Sequence, residues 1–154
     1  MKTFHNFASS NLSEIYSTTS ISSATKYEIN TLESGVFINE KTQFKFIKLP
    51  PEAQIAPSFA SAVTDINEDG ILDIVLAQNF YGAQRETGRM DGGLSLILLG
   101  NGDCSFLSMA HRDSGIHILG DTRKVQSLDL NNDGSHELIF GLNNGPLLIY
   151  SRQQ

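Results

Sequence analysis

The sequence predicts an all-β fold made of small antiparallel sheets, and three observations support this prediction. From Gly35 onward, short apolar runs alternate with clusters of Gly, Asn, Asp and Pro, which is the pattern of strands joined by turns. Apolar residues are not sustained at helical spacing anywhere in this part of the chain. An acidic loop followed by an apolar strand occurs twice, and the two copies share one register.

The composition of the 154-residue chain indicates one folded domain and limits its partners. A hydrophobic fraction of 40% with 18% charged residues is typical of a globular protein with a sizeable core. The net charge of −6 argues against nucleic-acid binding and against attraction to an anionic membrane surface. No apolar run of about 18 residues exists to insert into a membrane, and the N-terminus lacks the apolar stretch of a signal peptide.

Strands are predicted throughout the chain after a poorly defined N-terminal segment, residues 1–34, which is rich in Ser and Thr. Within that segment a short helix is predicted around Leu12–Tyr16. The predicted strands are Val36–Asn39, Phe44–Leu49, Ala62–Ile66, Leu72–Gln78, Leu94–Leu99, Phe106–Met109, Val125–Leu130, Glu137–Gly141 and Leu147–Tyr150. All are short and bounded by turn residues, as expected for sheets connected by hairpins.

The chain contains an internal repeat, in which Asp65–Asp73 matches Asp129–Glu137, 64 residues later. The apolar positions of the following strand keep this register, and Asn79 falls on Asn143. Upstream, Gly35–Asn39 resembles the third strand of the repeat. Repeats of this size predict the antiparallel, four-stranded blades of a partial β-propeller. The predicted units are a partial blade at residues 35–50, a full blade at residues 58–110 and a partial blade at residues 123–152.

Both acidic loops have the pattern D-x-N-x-D-G-x-x-[DE], in which every donor side chain offers oxygen. Positions 1, 3, 5 and 9 supply side-chain oxygens, position 7 supplies a carbonyl, and Gly at position 6 permits a sharp turn. Ca²⁺ takes six to eight such ligands in flexible geometry, so calcium is the predicted cofactor. The predicted ligands of the first loop are Asp65, Asn67, Asp69, Asp73 and the carbonyl of Ile71. Those of the second loop are Asp129, Asn131, Asp133, Glu137 and the carbonyl of Ser135.

Electrostatics supports the calcium prediction, because the first loop places Asp65, Glu68, Asp69 and Asp73 within nine residues. Two carboxylates about 4 Å apart repel by roughly 4 kcal/mol at an effective dielectric near 20, and a divalent cation removes that cost. An EF-hand is excluded, since position 12 is apolar in both loops and the flanks are strand-like. The alternative is that both loops are only polar hairpin turns, which Asp, Asn and Gly favour in any case.

The loops and the strands that follow them, LDIVLAQN and ELIFGLNN, resemble the FG-GAP or VCBS repeats of integrin-α-type β-propellers. The stretch QNFYGAQRETGRMDGGLSLILLGNGDCSF, followed by HRDSG, is similar to the C-terminal part of bacterial VCBS proteins with an ASPIC/UnbV-type module. This resemblance covers residues 35–150. It implies a calcium-binding propeller that binds a protein or carbohydrate ligand at one face, in an extracellular, periplasmic or cell-surface location.

Two to three blades do not close a ring, so we expect either a fragment of a larger exported protein or self-association through open sheet edges. One alternative is the propeller part of an extracellular enzyme acting on a polymer, with the loop Phe80–Gly93 lining its site. For the charged residues of that loop, an internal Arg–Glu–Asp network that orders the loop is the favoured interpretation. A purely structural spacer is the other alternative. No catalytic motif supports an enzyme, and the lone Cys104 lies in a turn with no motif around it.

Overall fold

The computed structural model of this chain describes residues 3–152 and has an all-β architecture with four short helices. Nine strands form three antiparallel sheets, which confirms the predicted fold class at the level of an all-β protein. The chain divides into two compact units, one ending at Leu32 and the other beginning at Glu33. No helix in residues 3–152 is long and apolar enough to cross a membrane.

The unit that ends at Leu32 contains α1 (Phe4–Ala8), α2 (Leu12–Ile15) and α3 (Thr18–Ser23). Each helix begins after a polar residue, Thr3, Asn11 or Ser17, whose side chain accepts a hydrogen bond from a backbone N–H of the first turn. None of the helical residues is buried. Only α2 was predicted, because α1 and α3 are specified by their capping residues and not by a periodic apolar face.

The unit that begins at Glu33 contains all nine strands, a 3₁₀ turn at Pro51–Gln54 and helix α4 (His111–Ser114). The strands are β1 (Gly35–Asn39), β2 (Phe44–Lys48), β3 (Ser58–Thr64), β4 (Asp73–Gln78), β5 (Leu96–Gly100), β6 (Phe106–Ser108), β7 (Thr122–Leu128), β8 (Glu137–Leu142) and β9 (Leu147–Tyr150). Every predicted strand is present, but β3 and β7 begin and end earlier than predicted. Their predicted C-terminal residues, Ile66 and Leu130, are apolar but already belong to the acidic loops.

Three sheets follow one another along the chain: the first sheet (β1–β2), the middle sheet (β3–β4–β5–β6) and the last sheet (β7–β8–β9). Only the middle sheet has the four strands predicted for a complete unit. Residues 3–32 contain no strand, so within the described residues the last sheet ends at β9. The three sheets form separate ladders and do not close into a ring over residues 3–152.

The middle sheet is covered on both faces, because the side chains of its buried strand β4 alternate between two apolar cores. The core toward the first sheet contains Leu49, Ala53, Ile74, Leu76, Leu96 and Leu98. The core toward the last sheet contains Val75, Ala77, Ile97, Ile116, Ile118, Val125, Leu138 and Phe140. Each fully buried aliphatic side chain contributes roughly 1.5–3 kcal/mol. Apolar packing on both faces of the middle sheet is therefore the main source of stability in this unit.

The middle and last sheets are built alike, strand by strand. Val75 is the central residue of a row across three strands, and Ile139, 64 residues later, is the central residue of the equivalent row. The first strand of each sheet has an irregularity at the same place, between Ser58 and Ala60 and between Thr122 and Lys124. This equivalence identifies which face of the last sheet corresponds to which face of the middle sheet.

Candidate metal sites

The first acidic loop folds around the side chains at its positions 1, 3 and 5. The two carboxylate oxygens of Asp65 accept hydrogen bonds from the backbone N–H groups of Asp69 (3.1 Å) and Gly70 (2.8 Å). Asn67 Oδ1 accepts from the same N–H of Asp69 at 3.2 Å, and the Asn67 amide donates to Asp69 Oδ2 at 2.8 Å. Asp69 Oδ1 accepts from the N–H of Ile71 at 2.8 Å. The loop therefore brings oxygen atoms of three predicted ligands together.

The second loop repeats this network bond for bond. Asp129 accepts from the backbone N–H groups of Asp133 (3.2 Å) and Gly134 (3.0 Å). Asn131 accepts from the N–H of Asp133 at 3.0 Å and donates to Asp133 Oδ2 at 2.8 Å. Asp133 Oδ1 accepts from the N–H of Ser135 at 2.7 Å. The Ser135 N–H, followed by the Asn131 amide, holds the pKa of Asp133 below its usual value, so this carboxyl is ionised at neutral pH.

The backbone of both loops turns through the left-handed region at positions 4 and 6. Position 4 is Glu68 in the first loop and Asn132 in the second, with φ of 62° and 59°. Position 6 is Gly70 or Gly134, with φ of 84° and 89°. A Cβ at either glycine would meet no atom within 4 Å, so glycine is required for its conformation and not for lack of space.

The position-9 carboxylates lie at the start of β4 and β8, where they fasten each loop to its sheet. Asp73 is fully buried and accepts from the backbone N–H groups of Ile66 and Gly100, each at 2.8 Å. Glu137, also buried, accepts from the N–H of Leu130 at 2.9 Å. Within residues 3–152, no three His, Cys, Asp or Glu side chains are grouped in a way that could hold a metal. The side chains that converge in each loop are therefore two aspartates and one asparagine.

The donor chemistry of each loop fits a hard cation such as Ca²⁺, because every converging atom that could act as a ligand is an oxygen. The carbonyl of Ile71 or Ser135 and the carboxylate at position 9 complete the predicted set. Calcium, when bound, supplies two positive charges that offset the repulsion among the carboxylates. The turn from position 5 to position 7 is not specific to these loops, since Asp103 Oδ1 also accepts from the N–H of Ser105 at 2.9 Å. The convergence of three side chains distinguishes the acidic loops from that ordinary turn.

A cleft of about 600 Å³ lies between the two acidic loops. Its walls include Asp65, Asn67 and Glu68 of the first loop, Ser135 and His136 of the second, Arg112 and Asp113 of α4, and Tyr150 and Arg152 near the end of β9. Glu68 and Arg152 form an ion pair at 2.6 Å. Hydroxyl, carboxylate, guanidinium and aromatic groups line this concave surface together with apolar side chains such as Met109 and Leu138.

An ion pair that was not predicted lies at the start of β7, where Asp121 is buried and Arg123 is half-buried. Arg123 Nη2 donates to Asp121 Oδ2 at 3.0 Å, and Arg123 Nε lies 2.8 Å from Asp121 Oδ1 without hydrogen-bond alignment. The guanidinium also lies over the rings of Phe59, at 4.0 Å, and Phe80, at 4.9 Å. The available signal was the D-x-R spacing at a strand start, which places both side chains on one face of an extended segment.

Asn79 and Asn143, which occupy equivalent positions in the repeat, have structural roles outside the acidic loops. The Asn79 amide donates to the carbonyls of Gly93 (2.8 Å) and Gly120 (3.0 Å), and its Oδ1 accepts from the Gly93 N–H at 2.9 Å. The Asn143 amide donates to Asp121 Oδ2 at 3.1 Å. Each asparagine thus binds a residue in a segment that leads toward another strand, but the partners of the two differ.

The long loop Phe80–Gly93 is closed by its own backbone. Phe80 and Met90 exchange two backbone hydrogen bonds of 2.9 Å, and the Arg89 guanidinium lies 4.6 Å from the ring centre of Tyr81. The favoured Arg–Glu–Asp network is wrong, since no ion pair is formed by these described residues: Arg85, Glu86, Arg89 and Asp91. All four are exposed, where pairing contributes little.

Comparisons with known proteins found no relative of this chain. No family model, no curated protein and no solved structure matches this chain. The resemblance to FG-GAP or VCBS repeats therefore stays a prediction, made from the two acidic loops and the strands that follow them.

Proposed function

We propose that this chain is a calcium-binding module of β-propeller repeats, part of a larger exported protein, that mediates interaction with a protein or carbohydrate ligand. The observation that supports calcium binding best is the identical network in the two loops. Five hydrogen bonds recur with the same donors and acceptors, and in both loops they gather two aspartates and an asparagine. A polar turn alone needs only one such side chain.

Calcium is expected to stabilise the fold because the acidic loops bring like charges close together. Extracellular calcium sites bind at about 10⁻⁴ to 10⁻³ M. At a calcium concentration about ten times the dissociation constant, one site adds roughly 1.4 kcal/mol to the free energy of unfolding. Two sites of this kind would add about twice as much. A stabilisation of that size is measurable as a shift of the thermal midpoint.

Thermal unfolding in calcium, in magnesium and in chelator tests the calcium proposal. We expect the midpoint to rise with calcium and to change much less with magnesium, which demands stricter octahedral geometry. Asp69→Asn and Asp133→Asn should each remove part of the calcium-dependent shift, because each replaces a charged donor at position 5. Asp103→Asn is the matched control, since Asp103 forms the same kind of turn outside the acidic loops. Equal midpoints in calcium and chelator would refute the proposal.

The cleft between the loops is the proposed ligand site, because both loops contribute to its walls. Binding to an array of defined oligosaccharides and a panel of purified extracellular proteins, in calcium and in chelator, tests this assignment. Arg112→Ala should weaken binding about tenfold, the loss of one charged hydrogen bond. Arg85→Ala, in the exposed part of the Phe80–Gly93 loop, should leave it unchanged. Calcium-dependent stability without any ligand would instead favour a structural spacer.

A further inference from the structure

The connection between β8 and β9 places an asparagine directly before a glycine in an exposed turn. Asn144 and Gly145 are both exposed. The ladder of these two strands ends at the pair of Gly141 with Leu147, so Asn144 lies three residues from the nearest paired residue on either side. Exposed connections of this kind open locally at low free energy. The backbone of this turn is therefore only weakly restrained.

The side chain of Asn144 is also unrestrained. The neighbouring Asn143 donates a hydrogen bond to Asp121, whereas the Asn144 side chain forms none with any described residue. The backbone N–H of Gly145 forms no hydrogen bond within residues 3–152 either. Asn144 has a φ of 57°, a left-handed conformation that is less favourable for L-residues than helical or extended backbone. Neither hydrogen bonds nor local backbone preference therefore oppose rotation of this residue.

The chain contains a second Asn–Gly pair, Asn101–Gly102, which is also exposed but is held in place. The backbone N–H of Asn101 donates to the Ser105 carbonyl at 3.1 Å, and its side-chain amide donates to Ser105 Oγ at 2.8 Å. Asn101 directly follows Gly100, the last paired residue of β5. The two pairs thus share the same two residues and differ in how firmly the structure holds the asparagine.

We propose that Asn144–Gly145 is a site of spontaneous deamidation in the folded protein, and that it reacts in preference to Asn101–Gly102. The backbone nitrogen of Gly145 attacks Cγ of Asn144 and forms a new C–N bond. The bond from Cγ to the side-chain nitrogen breaks, and that nitrogen leaves as ammonia with the proton of the Gly145 N–H. A cyclic imide remains.

Water then opens the imide at one of its two carbonyl carbons. Addition at Cγ gives aspartate, and addition at the backbone carbonyl of residue 144 gives isoaspartate, in which the chain runs through the former side chain. The reaction consumes one water, releases one ammonia and needs no oxidant or cofactor. Either product adds a negative charge to the turn. This proposal is independent of calcium and of the ligand cleft.

Ring closure requires Cγ of the asparagine to reach the nitrogen of the next residue, which a following glycine leaves unshielded because it has no side chain. Packing requires that glycine at residue 145, since a Cβ there would lie 2.8 Å from Cβ of Leu142. At the other pair, the amide of Asn101 must first leave Ser105. Loss of that hydrogen bond lowers the reactive fraction roughly three- to tenfold.

Incubation of the full chain at mildly alkaline pH, followed by peptide mapping with mass spectrometry, tests the proposal. We expect deamidation at Asn144 to be roughly three- to tenfold faster than at Asn101. In concentrated urea the two sites should react at similar rates, because both are followed by glycine. Equal rates in the folded chain, a faster reaction at Asn101, or no reaction at Asn144 in the folded chain would overturn the proposal.

Two variants test the physical reason for the preference. Ser105→Ala frees the amide of Asn101, so it should accelerate deamidation there roughly three- to tenfold and leave the rate at Asn144 unchanged. Asn144→Gly removes the reactive amide and keeps a residue suited to left-handed backbone. Ion-exchange chromatography of aged samples should show an acidic form of the wild type that is nearly absent from this variant.

Thermal unfolding checks that both variants fold. If Ser105→Ala does not fold, the comparison of folded with urea-treated wild type still decides between the two sites. An unchanged rate at Asn101 in folded Ser105→Ala, or an acidic form that persists in Asn144→Gly, would overturn the proposal.

Discussion

The buried carboxylate of Asp121 makes the stability of the fold depend on pH. Burial alone would raise the pKa of Asp121, but hydrogen bonds from Asn143 and Arg123, together with the charge of Arg123, hold it below its usual value. A group with a lowered pKa in the folded state stabilises the fold above its unfolded pKa, about 3.9 for Asp. That contribution is lost as the pH falls through the folded pKa.

We therefore predict that Asp121→Asn lowers the free energy of unfolding at neutral pH by about 1–3 kcal/mol, because it leaves Arg123 with no charged partner. The difference in the free energy of unfolding between wild type and Asp121→Asn should shrink as the pH falls below the unfolded pKa of Asp, about 3.9. Urea unfolding at a series of pH values measures it. Asp91→Asn is the control, since Asp91 is exposed and forms no ion pair within the described residues. A difference that stays constant into the acid range would contradict the assignment.

Arg123 also stabilises the fold through its contacts with two aromatic rings. Lysine keeps the charge but loses the planar group that lies over Phe59 and Phe80, so we predict that Arg123→Lys costs about 1 kcal/mol. Arg112→Lys should cost almost nothing, because the side chain of Arg112 is 87% exposed. Chemical denaturation of both variants measures the contrast. If Arg123→Lys and Arg112→Lys are equally stable, the contacts of Arg123 with the two aromatic rings do not stabilise the fold.

Asn79 has a left-handed backbone conformation and forms three side-chain hydrogen bonds. Comparison with a second asparagine separates the contributions of these two features to stability. Its φ is 85°, and the residue is buried. Asn144 has a φ of 57° but is exposed. Asn144→Ala should therefore cost about 1 kcal/mol, from backbone strain alone. Asn79→Ala should cost about 3 kcal/mol or more, since buried carbonyl and N–H groups lose their partners. Thermal and urea unfolding compare the two variants.

At the scale of elements, the sequence predicted the strands well because each strand is specified by residues that are close together in the sequence. Apolar runs between turn residues located all nine, and the loop pattern located the turns at Gly70 and Gly134. It did not predict the left-handed backbone of Glu68 and Asn132 at position 4. The starts of β3 and β7 were predicted too late, because their first residues are specified by pairing with β4 and β8. The D-x-R spacing of Asp121 and Arg123 is local, but the aromatic rings that pack on Arg123 belong to Phe59 and Phe80, which are distant in sequence. The spacing alone therefore did not show that this pair is enclosed.

The acidic loops yield a prediction at this scale, because two glycines in the chain share a backbone conformation in different settings. Gly70 and Gly88 have φ of 84° and 75°, and a Cβ at either would meet no atom within 4 Å. Gly70→Ala and Gly88→Ala should therefore lower stability by a similar amount, about 1 kcal/mol, in the presence of chelator. Only Gly70→Ala should also reduce the calcium-dependent rise of the thermal midpoint. Equal calcium responses of the two variants would show that the first loop does not bind the ion.

At the scale of the whole molecule, the pattern of the sequence does not reveal which sheet faces remain open. Val75 and Ile139 are equivalent in the repeat and similar in chemistry, yet Val75 is fully buried and Ile139 is only partly buried. The difference arises because another sheet covers Val75. Burial at such positions depends on the neighbouring sheet and therefore on the number of units present.

The two units of the chain are expected to differ sharply in local stability. None of the residues in α1, α2 and α3 is buried, so these helices depend on their caps, and isolated helices this short are marginal in water. The unit that begins at Glu33 contains both apolar cores and all nine strands. Glu33 itself is tied to it, since Lys48 Nζ donates to Glu33 Oε1 at 3.1 Å.

We predict that deleting residues 1–32 changes the thermal midpoint by less than about 2 °C, because a change of 1 kcal/mol moves the midpoint of such a domain by a few degrees. Brief trypsin treatment of the full chain should cut first at Lys26, whose side chain is 81% exposed, and leave a stable fragment. Mass spectrometry of the fragment and a melt of the truncated chain measure both outcomes. A fall of many degrees on truncation would contradict this prediction.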